Sequence, residues 1–129
     1  MEYKITFDEE LVCFVVSATG PATARDIHSF VNELLNNSRW RRGRNVIIDY
    51  RLADLSVLTS SNAHDLANYV MRLKERIGSR RVAHVVSQNV DFGMVRTWEN
   101  LVEDQVAFDF RVFHSMDDAR KWIADTSTT

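Results

Sequence analysis

Seven polar side chains crowd a short stretch of the chain: Asp49, Arg51, Asp54, Ser56, Thr59, Ser60 and Ser61. They follow directly on the apolar run Val46-Ile47-Ile48. Carboxylates, a guanidinium and hydroxyls at this density suit hydrogen bonding, helix capping or acceptance of a phosphate. Nucleophilic catalysis needs a base tied to the hydroxyl. None of His28, His64, His84 and His114 has such a spacing, and the chain has no Gly-x-Ser-x-Gly elbow. Asp49 and Arg51 stand two apart, so on an extended segment both point to one side. There they either orient a ligand or pin down their own loop. The histidines also lack metal-ligand spacing, and Cys13 has no second cysteine to join it. No catalytic residue, metal or cofactor is therefore assigned, and a non-enzymatic protein is expected.

A second constellation is basic. Residues 39–81 carry 10 Lys and Arg against 4 Asp and Glu, whereas the rest of the chain carries 6 against 14. Arg39, Arg41, Arg42 and Arg44 with Trp40 among them, and Arg80 and Arg81 further on, have the chemistry to grip phosphates of lipid or nucleic acid. A net charge of −2 argues for neither partner. Glu103 and Asp104 should close a helix at the same end and pair with these arginines. The expectation is a solvated, internally paired rim with no nucleic-acid partner, in which Arg39, Trp40, Arg41, Arg42 and Arg44 are the candidate contacts to an anionic surface. Trp40 lies in a polar loop and is expected to be exposed, whereas Trp98 and Trp122 fall in helical stripes and read as core.

The elements that position these groups follow from periodicity. Residues 3–7 alternate as a strand, Asp8-Glu9-Glu10 makes a turn, and 11–16 is a second strand. Thr19-Gly20-Pro21 should break it and open a helix near 23–36, whose stripe is Ile27, Phe30, Val31, Leu34 and Leu35. The run 46–49 is apolar throughout, which predicts a central strand buried on both faces of a parallel sheet. A loop over 52–59 follows, and Ser60 or Ser61 should cap a helix over 61–77 that stops at Gly78. A strand over 82–86 comes next. Then Asn89 or Asp91 caps a helix near 91–104 bearing Phe92, Val95, Trp98, Leu101 and Val102. A strand over 108–113 and a helix over 116–124, capped by Ser115, close the chain.

The order is ββαβαβαβα: an α/β domain over 1–125 with a five-stranded mixed, mostly parallel sheet, about four helices and a frayed tail at 126–129. A chain of this length buries about two-thirds of its unfolded surface. No apolar run approaches the ~20 residues of a membrane span, and Met1-Glu2-Tyr3-Lys4 does not read as a signal peptide. The lone Cys13 reads as a small core residue and fits a cytoplasmic location. Strands laid side by side would put the crossover helices on one face of the sheet. Asp109, Arg111 and His84 are placed on the other, partly covered face, and a homodimer is expected to cover apolar surface left there.

This element order resembles the STAS and SpoIIAA-like family of anti-sigma-factor antagonists and their lipid-associated relatives. The likeness is carried by Val46-Ile47-Ile48-Asp49, by Phe92-Gly93-Met94-Val95-Arg96, by Phe110-Arg111-Val112-Phe113 and by Met116-Asp117-Asp118-Ala119-Arg120-Lys121-Trp122-Ile123. In the phosphorylated antagonists an Asp-Ser-Ser-Gly motif starts the helix after the central strand. Thr59-Ser60-Ser61-Asn62 stands in its place, with Thr59 for the Asp and Asn62 for the Gly. The resemblance implies a regulatory module that binds a protein partner through the loop and helix after Asp49, with Ser61 in the phosphoacceptor position. The SpoIIAA-like branch, which the closing segments match better, implies instead a membrane-associating carrier of a small ligand or lipid.

Overall fold

Alternating side chains build the edge of the sheet. In the computed structural model, which describes residues 1–78, 80–87, 89–102 and 108–125, strands β1 (Glu2–Asp8) and β2 (Cys13–Pro21) pair antiparallel from Glu2↔Thr19 to Asp8↔Cys13. Leu11 and Val12 belong to the turn and not to the second strand. Asp8 Oδ1 accepts from the Leu11 N–H at 3.0 Å, and Val12 takes a positive φ of 53°. The expected tail, 126–129, lies outside the described residues, as do Glu103 and Asp104.

Strand β2 also runs further than its breakers suggest. It continues through Pro21, and the Ala22 N–H donates to the Asp54 carbonyl at 2.9 Å. Thr19 is therefore a strand residue. The cap of helix α1 (Ala24–Leu35) is Thr23, whose hydroxyl accepts from the Asp26 N–H while Asp26 Oδ2 accepts from the Thr23 N–H. The same extension lengthens strand β3 (Asn45–Asp54). Leu52, Ala53 and Asp54 pair with Thr19, Gly20 and Pro21, so the predicted 52–59 loop shrinks to Leu55–Thr59.

Strand β3 is the middle of five, in the order β1-β2-β3-β4-β5, parallel to β2 and to β4 (Arg81–Val85). Strand β5 (Asp109–Phe113) lies parallel to β4. Helix α2 (Ser60–Arg72) turns at Leu73 into a short α3 (Lys74–Ile77) where one continuous helix was expected. Tertiary bonds hold that turn: Trp40 Nε1 donates to the Arg76 carbonyl and Arg42 Nε to the Glu75 carbonyl. Gly78 ends α3 at φ 76°, and Arg42 and Gly43 approach so closely that a Cβ there would clash. Helices α4 (Asn89–Val102) and α5 (Met116–Ala124) complete the chain. Ser115 caps α5 as expected, accepting from the Asp118 N–H. The cap position of α4 falls at residue 88, outside the described residues.

Right-handed crossovers lay α1, α2 and α4 on one face. Phe14, Val16, Val46, Ile48, Tyr50 and Val82 form the sheet side of that core, with Phe30, Leu66 and Trp98 opposite. On the other face Cys13, Ile47, Ala83 and Val85 pack against Ala119 and Ile123 of α5. Burial pushes the Cys13 thiol up to about 11, and the Asp8 charge adds to this despite Arg120, as suits an inert core residue. Arg111 lies on the α5 side, its guanidinium 5.2 Å from the Trp122 ring. His84 does not. Two-residue periodicity places it with Val82, between the rings of Tyr50 at 6.0 Å and Trp98 at 6.2 Å.

Candidate functional site

The C-terminal end of β3 brings together part of the expected constellation. Asp49 and Arg51 form a bidentate pair, Nε to Oδ1 and Nη2 to Oδ2, each at 2.9 Å, and the Arg51 N–H adds a bond to Oδ1 at 3.0 Å. Burial pushes the Asp49 carboxyl up, but these bonds and the guanidinium charge outweigh it and hold the group below the usual range. Asp54 is turned onto its own loop, accepting from both the hydroxyl and the N–H of Ser56, and those bonds hold its carboxyl low. Of the two readings of the Asp49–Arg51 pair, the local tie is what the geometry displays.

Helix α2 is capped by Thr59, not by either serine. Thr59 Oγ1 accepts from the Asn62 N–H at 3.1 Å, and Asn62 Oδ1 accepts from the Thr59 N–H at 3.0 Å. The two positions that depart from Asp-Ser-Ser-Gly thus form a reciprocal capping box. Ser60 and Ser61 are left exposed in the first turn. Thr59→Ala should therefore cost about 1 kcal/mol in chemical denaturation, while Ser61→Ala should leave stability unchanged. An equal loss from Ser61→Ala would return the cap to the serine.

Asp91, a cap candidate by sequence, performs a different task. Asp91 is buried, and its Oδ1 accepts from the Leu55 N–H at 3.0 Å, tying the β3–α2 loop to α4. Burial pushes its carboxyl up against the pull of that bond, with Asp54 adding repulsion.

The basic rim is engaged by the protein itself. Arg39 pairs with Glu9 at 3.1 Å over the Phe7 ring, and Arg42 pairs with Glu75. Arg41 donates to the Ser38 and Trp40 carbonyls. Arg44 lies 5.3 Å from the Phe7 ring, with its Nε buried and unpaired. Trp40 is half-buried against Phe14 and not exposed, because its indole N–H reaches Arg76 and its ring closes the end of the core. Arg81 donates to the Trp122 and Asp125 carbonyls.

Sequence reasoning missed a cavity of about 60 Å³ between the sheet and α1, α2 and α4. Its walls are apolar, with Ile27, Phe30, Ile48, Leu66 and Ala67 among them. Five lining residues bring polar tips: Tyr50, Tyr69, Arg80, His84 and Trp98. His84 Nδ1, Trp98 Nε1 and Arg80 Nε are buried without a hydrogen-bond partner. Burial, with the Arg80 charge adding, pulls the His84 imidazole down to about 3, so it is neutral. Burial also pushes the Tyr50 hydroxyl up and pulls the Arg80 guanidinium down to about 9, which leaves arginine charged at neutral pH. The available signal was polar-tipped side chains at core periodicity, as His84 is between Val82 and Val86. Among the described residues no three His, Cys, Asp or Glu side chains are placed to hold a metal ion, and no helix is long and apolar enough to cross a membrane.

A mixed five-stranded sheet with one antiparallel edge and this helix arrangement is the SpoIIAA-like fold. A solved structure that shares it is an uncharacterized protein of the DUF3478 family, with a SpoIIAA-like fold, from Shewanella loihica PV-4. It aligns at a TM-score of 0.61 and 17% identity, covering 95% of this chain and 92% of that one. At that identity the likeness establishes the fold. No protein-family model matches the chain, and no curated protein matches it.

Proposed function

We propose that this STAS-like domain is a non-enzymatic module that binds a small molecule in the cavity between the sheet and α1, α2 and α4. The supporting observation is the cavity itself: an apolar chamber with a few convergent polar groups, the ordinary make-up of a ligand site. Its 60 Å³ is several times the ~10–15 Å³ that one water needs, and below the ~150 Å³ apolar cavity that admits benzene. A body of a few carbons suits it, and an acyl chain does not.

Xenon under pressure, followed by methyl and amide NMR shifts, tests the reading. Shifts should concentrate on Ile48, Leu66, Val70 and Val82, which line the chamber. Ala67→Leu, filling the space from α2, should abolish them and raise stability by about 0.5–2 kcal/mol. A chain that takes up no xenon, or an Ala67→Leu variant that still does, would end this reading.

A second reading, a protein partner docked after β3, is supported by two exposed apolar side chains on that segment. Leu52 is 77% and Val57 48% exposed, and Ser61 is free of the capping bond. Ser61→Asp adds charge there while leaving the Thr59 cap in place. Partner capture unchanged by it would remove this reading together with a phosphoacceptor role for Ser61.

A further inference from the structure

The cavity lining carries a positive charge, Arg80, that no carboxylate among the described residues answers. Among the described residues the Arg80 guanidinium makes one hydrogen bond, Nη1 to the Arg44 carbonyl at 3.1 Å, and lies against two rings, Trp40 at 4.9 Å and Phe108 at 5.8 Å. Among the described residues no carboxylate stands within ion-pair distance of it. A buried charge lacking a counter-charge is costly, and so is each buried donor left without an acceptor. Here both occur on residues of one chamber: the Arg80 guanidinium with Nε unpaired, and the Trp98 indole N–H unpaired. His84 lines the same chamber, 3% exposed, with Nδ1 unpaired and its ring 6.2 Å from Trp98. Among the described residues the lining holds no acidic group that would favour a cationic ligand. Nor do the described lining residues supply the ring of hydroxyls and amides that a sugar would need.

Resting on the cavity reading above, we propose that the ligand is a short-chain organic carboxylate, its apolar body against Ile48, Leu66 and Ala67 and its oxygens toward Arg80 and Trp98. A carboxylate supplies in one group the counter-charge for the guanidinium and acceptors for two unpaired donors. Hydrogen bonds with a charged partner are also about twice as strong as neutral ones. His84 remains neutral, offering a hydrogen bond without adding charge. The few carbons that the chamber admits set the upper size.

The test compares propionate with propionamide, which has nearly the same shape and no charge, in NMR titrations of the full chain, with xenon as the uncharged cavity probe. Propionate should bind about tenfold more tightly than the amide and shift the Trp98 indole N–H resonance. Arg80→Met should erase that preference while amide binding persists. Trp98→Phe, which removes the indole N–H, should weaken propionate more than the amide, and it keeps the question answerable if Arg80→Met does not fold. Equal binding of the two compounds would overturn the carboxylate proposal, as would xenon uptake with no propionate binding, and in both cases the cavity reading would stand. A preference that survives in Arg80→Met would also overturn it. If neither xenon nor propionate enters, both readings fall together.

Discussion

Acidification should unfold this protein early, through one buried imidazole. His84 is 3% exposed, and burial, assisted by the Arg80 charge, pulls its pKa down to about 3. In the unfolded chain the same group titrates at about 6.5. Between those values the unfolded state binds more protons, so stability is fully present above about pH 6.5 and is lost as pH falls toward 3. Near pH 4 the loss should reach about 3 kcal/mol, a large share of the stability of a domain this size. Asp49 and Asp26 are held below the usual carboxylate range, so their contributions are lost only further down, from about pH 4. His84→Phe keeps a ring beside Tyr50, Trp98 and Phe110 and should flatten the upper part of the curve. Urea denaturation at a series of pH values reads this directly. Wild-type stability that stays level from about pH 7 to 4.5 would mean that His84 is not held neutral by the fold.

Ile48→Ala should cost about 2–5 kcal/mol. Ile48 sits in the middle strand, 7% exposed, paired in register between Val16 and His84. Its side chain also borders the cavity, so truncation enlarges a space that already exists. Neighbours that have not closed over 60 Å³ have little freedom to close over more, which favours the upper half of that range. Chemical denaturation checks it. A loss below about 1 kcal/mol would mean that the site collapses freely.

Periodicity alone determined much of this protein. The unbroken apolar run Val46-Ile47-Ile48 reads as a strand covered on both faces, and β3 is the middle of five. Helical stripes and the order of strands followed from the same rule. The α/β class and the mostly parallel sheet were therefore legible from local pattern, because hydrophobic spacing is a property of the chain itself. The pairing of Asp49 with Arg51 was legible for the same reason, since two residues on one strand share a side.

Tertiary contacts decided what lay beyond that pattern. Strands β2 and β3 run past residue 19 and residue 51 because each supplies the other with hydrogen-bond partners, which keeps Thr19 in the strand and leaves the first helix cap to Thr23. Thr59 caps α2 ahead of two equally suited serines because Asn62 can return the bond. Trp40 and Arg80 look like members of an exposed basic rim, yet they stack on each other at the end of the core. The cavity is the plainest case. Ile27 and Phe30 from α1, Leu66 and Ala67 from α2, Trp98 from α4 and three strands meet there only after folding. Whether such walls close on one another or leave a gap depends on side-chain volumes summed across the whole layer, and no local stretch of sequence holds that sum.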